Sequence, residues 1–290
     1  MNEHAHHCPS LEHAHGHLHG EGLARLLDLD AAMSGASWEE VTTWATQDAV
    51  GSPERIVDLG AGTGVGALTL ARRFPAAEVV AVDRSPVMLD RLRAAARDQG
   101  LDGRVSPVHA DLDAAWPAVG AADLVWASSF LHEVADPGAL LEKVRAGLRA
   151  GGLLVVVEMD GLPRFLPDDP GIGRPGLEPR CHQALADAGW NAHPDWRPLL
   201  ERTGFEVHGP HTVSTAAPQE PSATARYAQA WLSHMRPALQ DRLAADDLAA
   251  LDHLLTPDRP DALLHRQDLT FRASRTVWAA RRSGREVRSS

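Results

Sequence analysis

From Glu54 to Glu158, short apolar runs alternate with stretches of helical period. Ile56 to Leu59, Val79 to Asp83, Val105 to Ala110, Ala122 to Ala127 and Leu153 to Glu158 read as buried strands. Between them lie helical patterns. One covers Ala67 to Arg73. A second opens at Ser85-Pro86 and runs to Gln99, and a third opens at Asp136-Pro137 and runs to Arg149, where Gly151-Gly152 is expected to stop it. Strands separated by helices of this length predict right-handed βαβ units in a doubly wound, mostly parallel α/β sheet covered on both faces.

The flanks read differently. Leu23 to Met33 is helical, with Leu23, Leu26, Leu27 and Asp30 on one face. A second helix is expected from Trp38 to Val50, with Ser37 as its N-cap and Glu40 three residues on. Residues 160–193 are rich in proline and read as a long loop. Pro194 to Thr203, Ser222 to Leu243 and Asp246 to Leu255 are helical, whereas Phe205 to Val213 and Leu269 to Ala280 read as strands. The chain divides into a histidine-rich tail (1–22), N-terminal helices (23–53) and a main domain (54–290). Insertions at about 160–193 and 215–268 and the N-terminal helices are expected to form a cap over a site.

Composition narrows the classes. With 44% hydrophobic and 23% charged residues over 290 positions the chain is globular. Its 28 basic against 39 acidic residues, a net charge of −11, argue against a nucleic-acid partner. The arginines gathering near the C-terminus (Arg272, Arg275, Arg281, Arg282, Arg285, Arg288) read as a solvated face. No apolar run approaches membrane-span length, no signal-peptide pattern opens the chain, and two cysteines, Cys8 and Cys181, make no disulfide framework. A cytoplasmic protein without a membrane partner is expected.

The densest chemical signal is Val57-Asp58-Leu59-Gly60-Ala61-Gly62-Thr63-Gly64, a strand running into a glycine turn and then a helix. Such a turn lets a ligand approach backbone at the carboxyl end of a strand. Asp83, 19 residues after Gly64 and ending the second strand, is placed to accept from two ribose hydroxyls, so an adenosine-containing ligand is expected. Gly62 to Ala67 also fits G-x-G-x-x-A, which keeps an NAD(P)-dependent oxidoreductase in view. Two carboxylates favour S-adenosylmethionine (SAM). Asp58, inside the strand where a dinucleotide binder keeps apolar residues, suits a cationic amine. Asp111, after the third strand, suits an adenine amino group.

The chain resembles a class I SAM-dependent methyltransferase of the small-molecule type. The motifs are V-D-L-G-A-G-T-G at 57–64, V-V-A-V-D-R-S at 79–85, H-A-D-L at 109–112, D-L-V-W-A-S-S-F-L-H-E-V at 123–134 and L-R-A-G-G-L-L-V-V-V-E at 148–158. The resemblance implies a Rossmann-like seven-stranded sheet whose last two strands form an antiparallel pair. It implies Asp58, Gly60 and Gly62 at the methionine end of SAM, Asp83 at the ribose, Arg84 and Met88 beside the adenine, Asp111 and Leu112 at its edge, and Ser128 closing the pocket.

Methyl transfer needs a base only where the acceptor must lose a proton. His132 and Glu133, just after the fourth strand, are the first candidates, and Glu158 is next. His182, His193 and His234, with Trp190, Trp196 and Trp231, are candidates to line an acceptor pocket. A carboxylate on the acceptor would suit Arg164, Arg174, Arg180 or Arg226. No core metal site is expected. In the tail, His13, His15, His17 and His19 alternate and could hold a transition metal weakly; the segment reads as disordered, and a non-catalytic metal-binding or regulatory protein of this fold stands as a further alternative. A homodimer is compatible with the sequence.

Overall fold

The computed structural model describes residues 20–47, 51–215 and 220–283. The expectations for the histidine tail, the end of the second helix, Arg285 and Arg288 lie outside the described residues.

Helices α1 (Glu21–Met33) and α2 (Gly35–Thr46) precede the sheet. Then come β1 (Arg55–Leu59), α3 (Val65–Arg73), β2 (Glu78–Asp83), α4 (Pro86–Asp98), β3 (Val105–His109), β4 (Ala122–Ser128), α5 (Pro137–Gly147) and β5 (Leu148–Met159). The remainder is α6 (Leu177–Asp187), α7 (Arg197–Arg202), β6 (Phe205–Thr215), α8 (Pro221–Met235), α9 (Ala245–Leu255) and β7 (Ala273–Arg282). One seven-stranded sheet runs in the order β3-β2-β1-β4-β5-β7-β6. The first five strands are mutually parallel, and β7 is antiparallel to both β5 and β6. Chain order reverses between β1 and β4, so the carboxyl ends of those strands flank the crevice where such sheets bind ligands.

Alternation within the strands supplies two cores. Ile56, Val79, Leu124 and Val155 pack on one face against Val41 of α2, Leu68 of α3 and Leu92 of α4. Val57, Val80, Val125 and Val156 pack on the other against Leu141 of α5 and Leu200 of α7. A third core belongs to the flanks: Leu26 of α1, Leu185 of α6, Leu232 of α8 and Leu251 of α9 share it with Phe165 and Phe271. At about 1.5–3 kcal/mol for each large side chain buried, this apolar surface is a main term holding the added helices to one another.

Caps at two helices follow the sequence expectation. The Ser85 hydroxyl accepts from the Met88 N–H and the Asp136 carboxylate from the Ala139 N–H at 2.9 Å, each ahead of a proline at the first helical position. Elsewhere the structure corrects the reading. Ser37 caps nothing: α2 starts two residues earlier, and its buried hydroxyl bonds with that of Thr215. Gly151-Gly152 do not stop a helix, since α5 already ends at Gly147. They lie inside β5, which opens with Leu148 beside Ala122 and shifts register before Leu124. The proline-rich 160–193 is not all loop. It holds α6, whose buried Glu178 accepts from the N–H groups of Phe165 and Leu166 and folds the preceding strap onto the helix. The helix expected to reach Leu243 ends at Met235, because Pro237 has no N–H to continue it and a 3₁₀ turn follows. The last strand begins at Ala273 rather than Leu269; before it, Arg272 forms only an isolated bridge to Arg164.

No described helix is long and apolar enough to cross a membrane.

Candidate functional site

The glycine turn leaves β1 at Gly60, whose φ is +64°; a Cβ there would stand 2.2 Å from the Phe130 ring. Only glycine meets both conditions. At the other end of the turn, Gly66 opens α3 against two buried groups. A Cβ at Gly66 would lie 2.9 Å from Asp58 Oδ2 and 2.9 Å from Trp126 Nε1. Asp58 and Trp126 are register partners across β1 and β4.

Asp58 is almost fully buried, and its Oδ2 has no hydrogen-bond partner. Burial pushes its carboxyl up to about 8; the Ala67 N–H lowers it and the Asp83 charge raises it, both to a smaller degree. The cost of an orphaned buried oxygen is typically about 1–3 kcal/mol, which marks this position as kept for a partner. Asp83, at the end of β2, accepts from the Gly62 N–H and the Ser85 N–H, both at 2.8 Å, and so ties the glycine turn to the start of α4.

Two cavities meet over this turn. One, of about 320 Å³, is lined by Gly60, Gly62, Asp83, Arg84, Met88, Asp111, Leu112 and Glu133. The other, of about 250 Å³, is lined by Asp58, Gly60, Gly62, Ser128 and His132 on its sheet side. The residues expected at the methionine, ribose and adenine ends, together with Ser128, His132 and Glu133, therefore each border one lobe or the other. Leu23 and Leu27 of α1 line both lobes as a common roof. A larger open groove of about 670 Å³ lies among α1–α4; it shares Trp38, Thr63 and Val65 with the second lobe but reaches none of Asp58, Asp83, Asp111 or His132.

His132 stands on the short 3₁₀ turn after β4. Its Nδ1 is 2.9 Å from Glu158 Oε2 and its Nε2 is 3.4 Å from Glu133 Oε1. Burial lowers the ring's affinity for a proton, but the two carboxylates override that and hold it at about 10. Glu158 is wholly buried, with Oε1 unpartnered.

The far wall of the second lobe comes from the flanking elements. Trp190, Tyr227, Trp231 and His234 line it; Trp196 does not, being packed in the core beside α7. His193 lies just outside, its Nε2–H donating to the Met159 carbonyl at 2.8 Å, and His182 is not at the cavity. None of Arg164, Arg174, Arg180 and Arg226 lines the lobe. Arg174 and Arg180 pair with Asp247, Arg226 lies beside Glu220, and Arg164 is exposed. The arginine that does line it is Arg275, read from sequence as part of a solvated face. It is buried in β7, donates to Asp30 at 2.6 Å and to Ser34 at 3.2 Å, and lies over the Trp38 ring at 5.0 Å. Asp30 in turn accepts from the Tyr227 hydroxyl at 3.0 Å. The one sequence signal for this group was Asp30 itself, a carboxylate on the apolar stripe of α1. Asn191 was missed; it has φ +52° and donates to the Met159 carbonyl at 2.8 Å.

The fold and the carboxylate-flanked glycine turn define a Rossmann-like α/β protein with a crevice over that turn. Residues 56–152 match the methyltransferase-domain family. The trans-aconitate 2-methyltransferase of Pseudomonas aeruginosa is 35% identical over 147 residues, covering 45% of this chain and 50% of that one. The malonyl-[acyl-carrier protein] O-methyltransferase of Laribacter hongkongensis is 38% identical over 109 residues, covering 36% and 37%. The chain thus spans half or less of the length of these relatives. The fold is shared with a Bacillus halodurans C-125 protein (TM-score 0.52, 16% identity, 86% of this chain and 99% of that one) and the YcgJ protein of Bacillus subtilis (TM-score 0.50, 14% identity, 84% and 98%). Over residues 56–152 the chain is thus similar to a methyltransferase domain.

Proposed function

We propose that the whole chain is an enzyme that transfers a methyl group from SAM to a small-molecule acceptor enclosed in the second lobe, and that it works in the cytoplasm. The observation that carries this reading is Asp58, a buried carboxyl with an orphaned oxygen beneath the glycine turn. A cationic amine is the partner that such a group lacks, and a dinucleotide pyrophosphate is not. In this reading Asp58, Gly60 and Gly62 hold the methionine end of SAM. Asp83 takes the ribose on the lone pairs its backbone contacts leave. Arg84, Met88, Asp111 and Leu112 enclose the adenine, and Ser128 closes the lobe after β4. SAM supplies a methyl group already activated by a sulfonium. The chain's part is to orient the acceptor, exclude water through the α1, α6 and α8 cap, and accept a proton, for which His132 and Glu133 are the candidates.

The domain match stops at residue 152. The acceptor wall (Met159, Trp190, Tyr227, Trp231, Arg275) lies beyond it, so the acids named for the relatives stay with the relatives.

Calorimetric titration with S-adenosylhomocysteine (SAH), with NADH in parallel, tests this reading. One SAH bound per chain, lost in Asp83→Ala, is expected; binding of NADH alone would replace methyl transfer with hydride transfer. Metal binding by His13, His15, His17 and His19 and self-association are separate proposals, checked by nickel titration of the full chain with and without residues 1–22 and by sedimentation.

A further inference from the structure

Asp58 of β1 and Trp126 of β4 are register partners, and their side chains reach the same point of backbone. A Cβ at Gly66 would lie 2.9 Å from Asp58 Oδ2 and 2.9 Å from Trp126 Nε1, so both atoms border the space that the missing side chain leaves at the start of α3. Trp126 is wholly buried and Asp58 almost so, and neither Nε1 nor Oδ2 has a hydrogen-bond partner. An orphaned donor and an orphaned acceptor thus flank one gap, just out of contact with each other. An indole nitrogen can only donate, and a carboxylate can only accept. The Trp38 ring packs beside the Trp126 ring at 6.4 Å, tilted by 54°. The charge that acts on Asp58 is Asp83 of β2. Gly66 and Ala67 of α3, and Ala81, its register partner on β2, carry nothing that titrates. Asp30, His132, His234 and Arg275 border the same lobe.

We propose that Trp126 is a positioning residue for Asp58: its Nε1–H donates to Oδ2 once the carboxyl is ionised, and so holds the carboxylate in place for the cationic amine of SAM. The amine's part rests on the methyl-transfer reading; the pair of side chains does not. A hydrogen bond to an ionised acceptor is roughly twice as strong as one to a neutral acceptor, so the indole favours the charged form of Asp58 over the protonated one. The proton released goes to solvent. A carboxylate offers about four lone-pair sites, which lets the indole approach from within the sheet and the amine from the lobe without competing. Glycine at 66 is part of the device, because a side chain there would push the two groups apart.

The test begins with the full chain free of ligand and follows the indole N–H resonances by NMR, the Trp126 signal being identified by its through-space contact with Gly66. That proton is expected to move downfield as the pH rises, with a midpoint at about 8, and to stay in place in Asp58→Asn. SAH added at about pH 7 should produce the same downfield shift. Calorimetry then compares SAH affinity in the wild-type chain and in Trp126→Phe, which keeps a ring and removes the N–H. The variant is expected to bind about tenfold more weakly at about pH 7, which corresponds to one pKa unit, with the gap closing to within about twofold at pH 9.5, where Asp58 ionises unaided. A mere loss of packing would leave the same gap at both values. Where Trp126→Phe fails to fold, the resonance in the wild-type chain and in Asp58→Asn decides. A Trp126 signal that does not follow Asp58, or an affinity gap independent of pH, overturns the proposal. A wild-type chain whose Trp126 signal titrates but which does not bind SAH overturns the methyl-transfer reading and the amine's part with it, while the pair stands.

Discussion

Asp58 and His132 are the two groups at the site whose ionisation the fold changes most visibly, and both make stability fall as the pH rises. Asp58 keeps its proton to about pH 8 when folded but loses it near 3.8 when unfolded, so the folded chain holds the extra proton across that window. His132, with a folded value of about 10 against 6.5, contributes stability below about pH 6.5 that disappears as the pH passes 10. Urea unfolding of the chain without SAH should therefore show stability declining from pH 5 to 10. Asp58→Asn should flatten the lower part of that decline, and His132→Gln the upper. A cationic amine beside Asp58 favours its ionised form, so SAH binding near pH 7 should release a proton. Calorimetry in buffers of different ionisation enthalpy measures it, and Asp58→Asn should abolish it.

At the scale of elements, α1 carries more than its length suggests. Its Leu23 and Leu27 roof both lobes, Asp28 and Glu21 meet Arg91 of α4 at the surface, and Asp30 meets buried Arg275. The exposed pairs contribute little, about 0–1 kcal/mol each. The buried one is different: Asp30→Ala strands a guanidinium and should cost about 3–5 kcal/mol in denaturant unfolding. The helix caps are a milder lever, and Asp136→Ala should cost about 1 kcal/mol. In the glycine turn, Gly60→Ala forces a side chain into a left-handed position against Phe130. We expect a loss of about 1–3 kcal/mol and at least tenfold weaker SAH binding, read by thermal shift and calorimetry.

For the whole molecule, the site is a joint between the sheet and the added helices. SAH at 100 times its dissociation constant should stabilise the chain by about 2.7 kcal/mol. Because α1 covers both lobes, hydrogen exchange should slow in Glu21–Met33 as well as in the glycine turn. A sheet-only site would protect the turn alone.

The five strands and their connecting helices were legible from alternating periodicity, and the crevice over the glycine turn from Asp58, the glycines, Asp83 and Asp111 in order. Those features are local: each depends on residues within one strand–turn–helix unit, where spacing alone dictates backbone shape. The far wall of the second lobe is assembled from residues more than a hundred positions apart, such as Asp30 with Arg275 and Trp38 with Arg275. Nothing in the spacing of β7 separates Arg275 from the solvent-facing arginines around it; only the packing of α1 and α2 over that face buries it. Likewise His132 and Glu158 stood in sequence as two independent candidates, and the parallel pairing of β4 with β5 made them one unit. Periodicity determined the sheet and the crevice at its carboxyl edge, whereas long-range packing decided which charges are buried together, because burial and pairing exist only once distant segments share a surface.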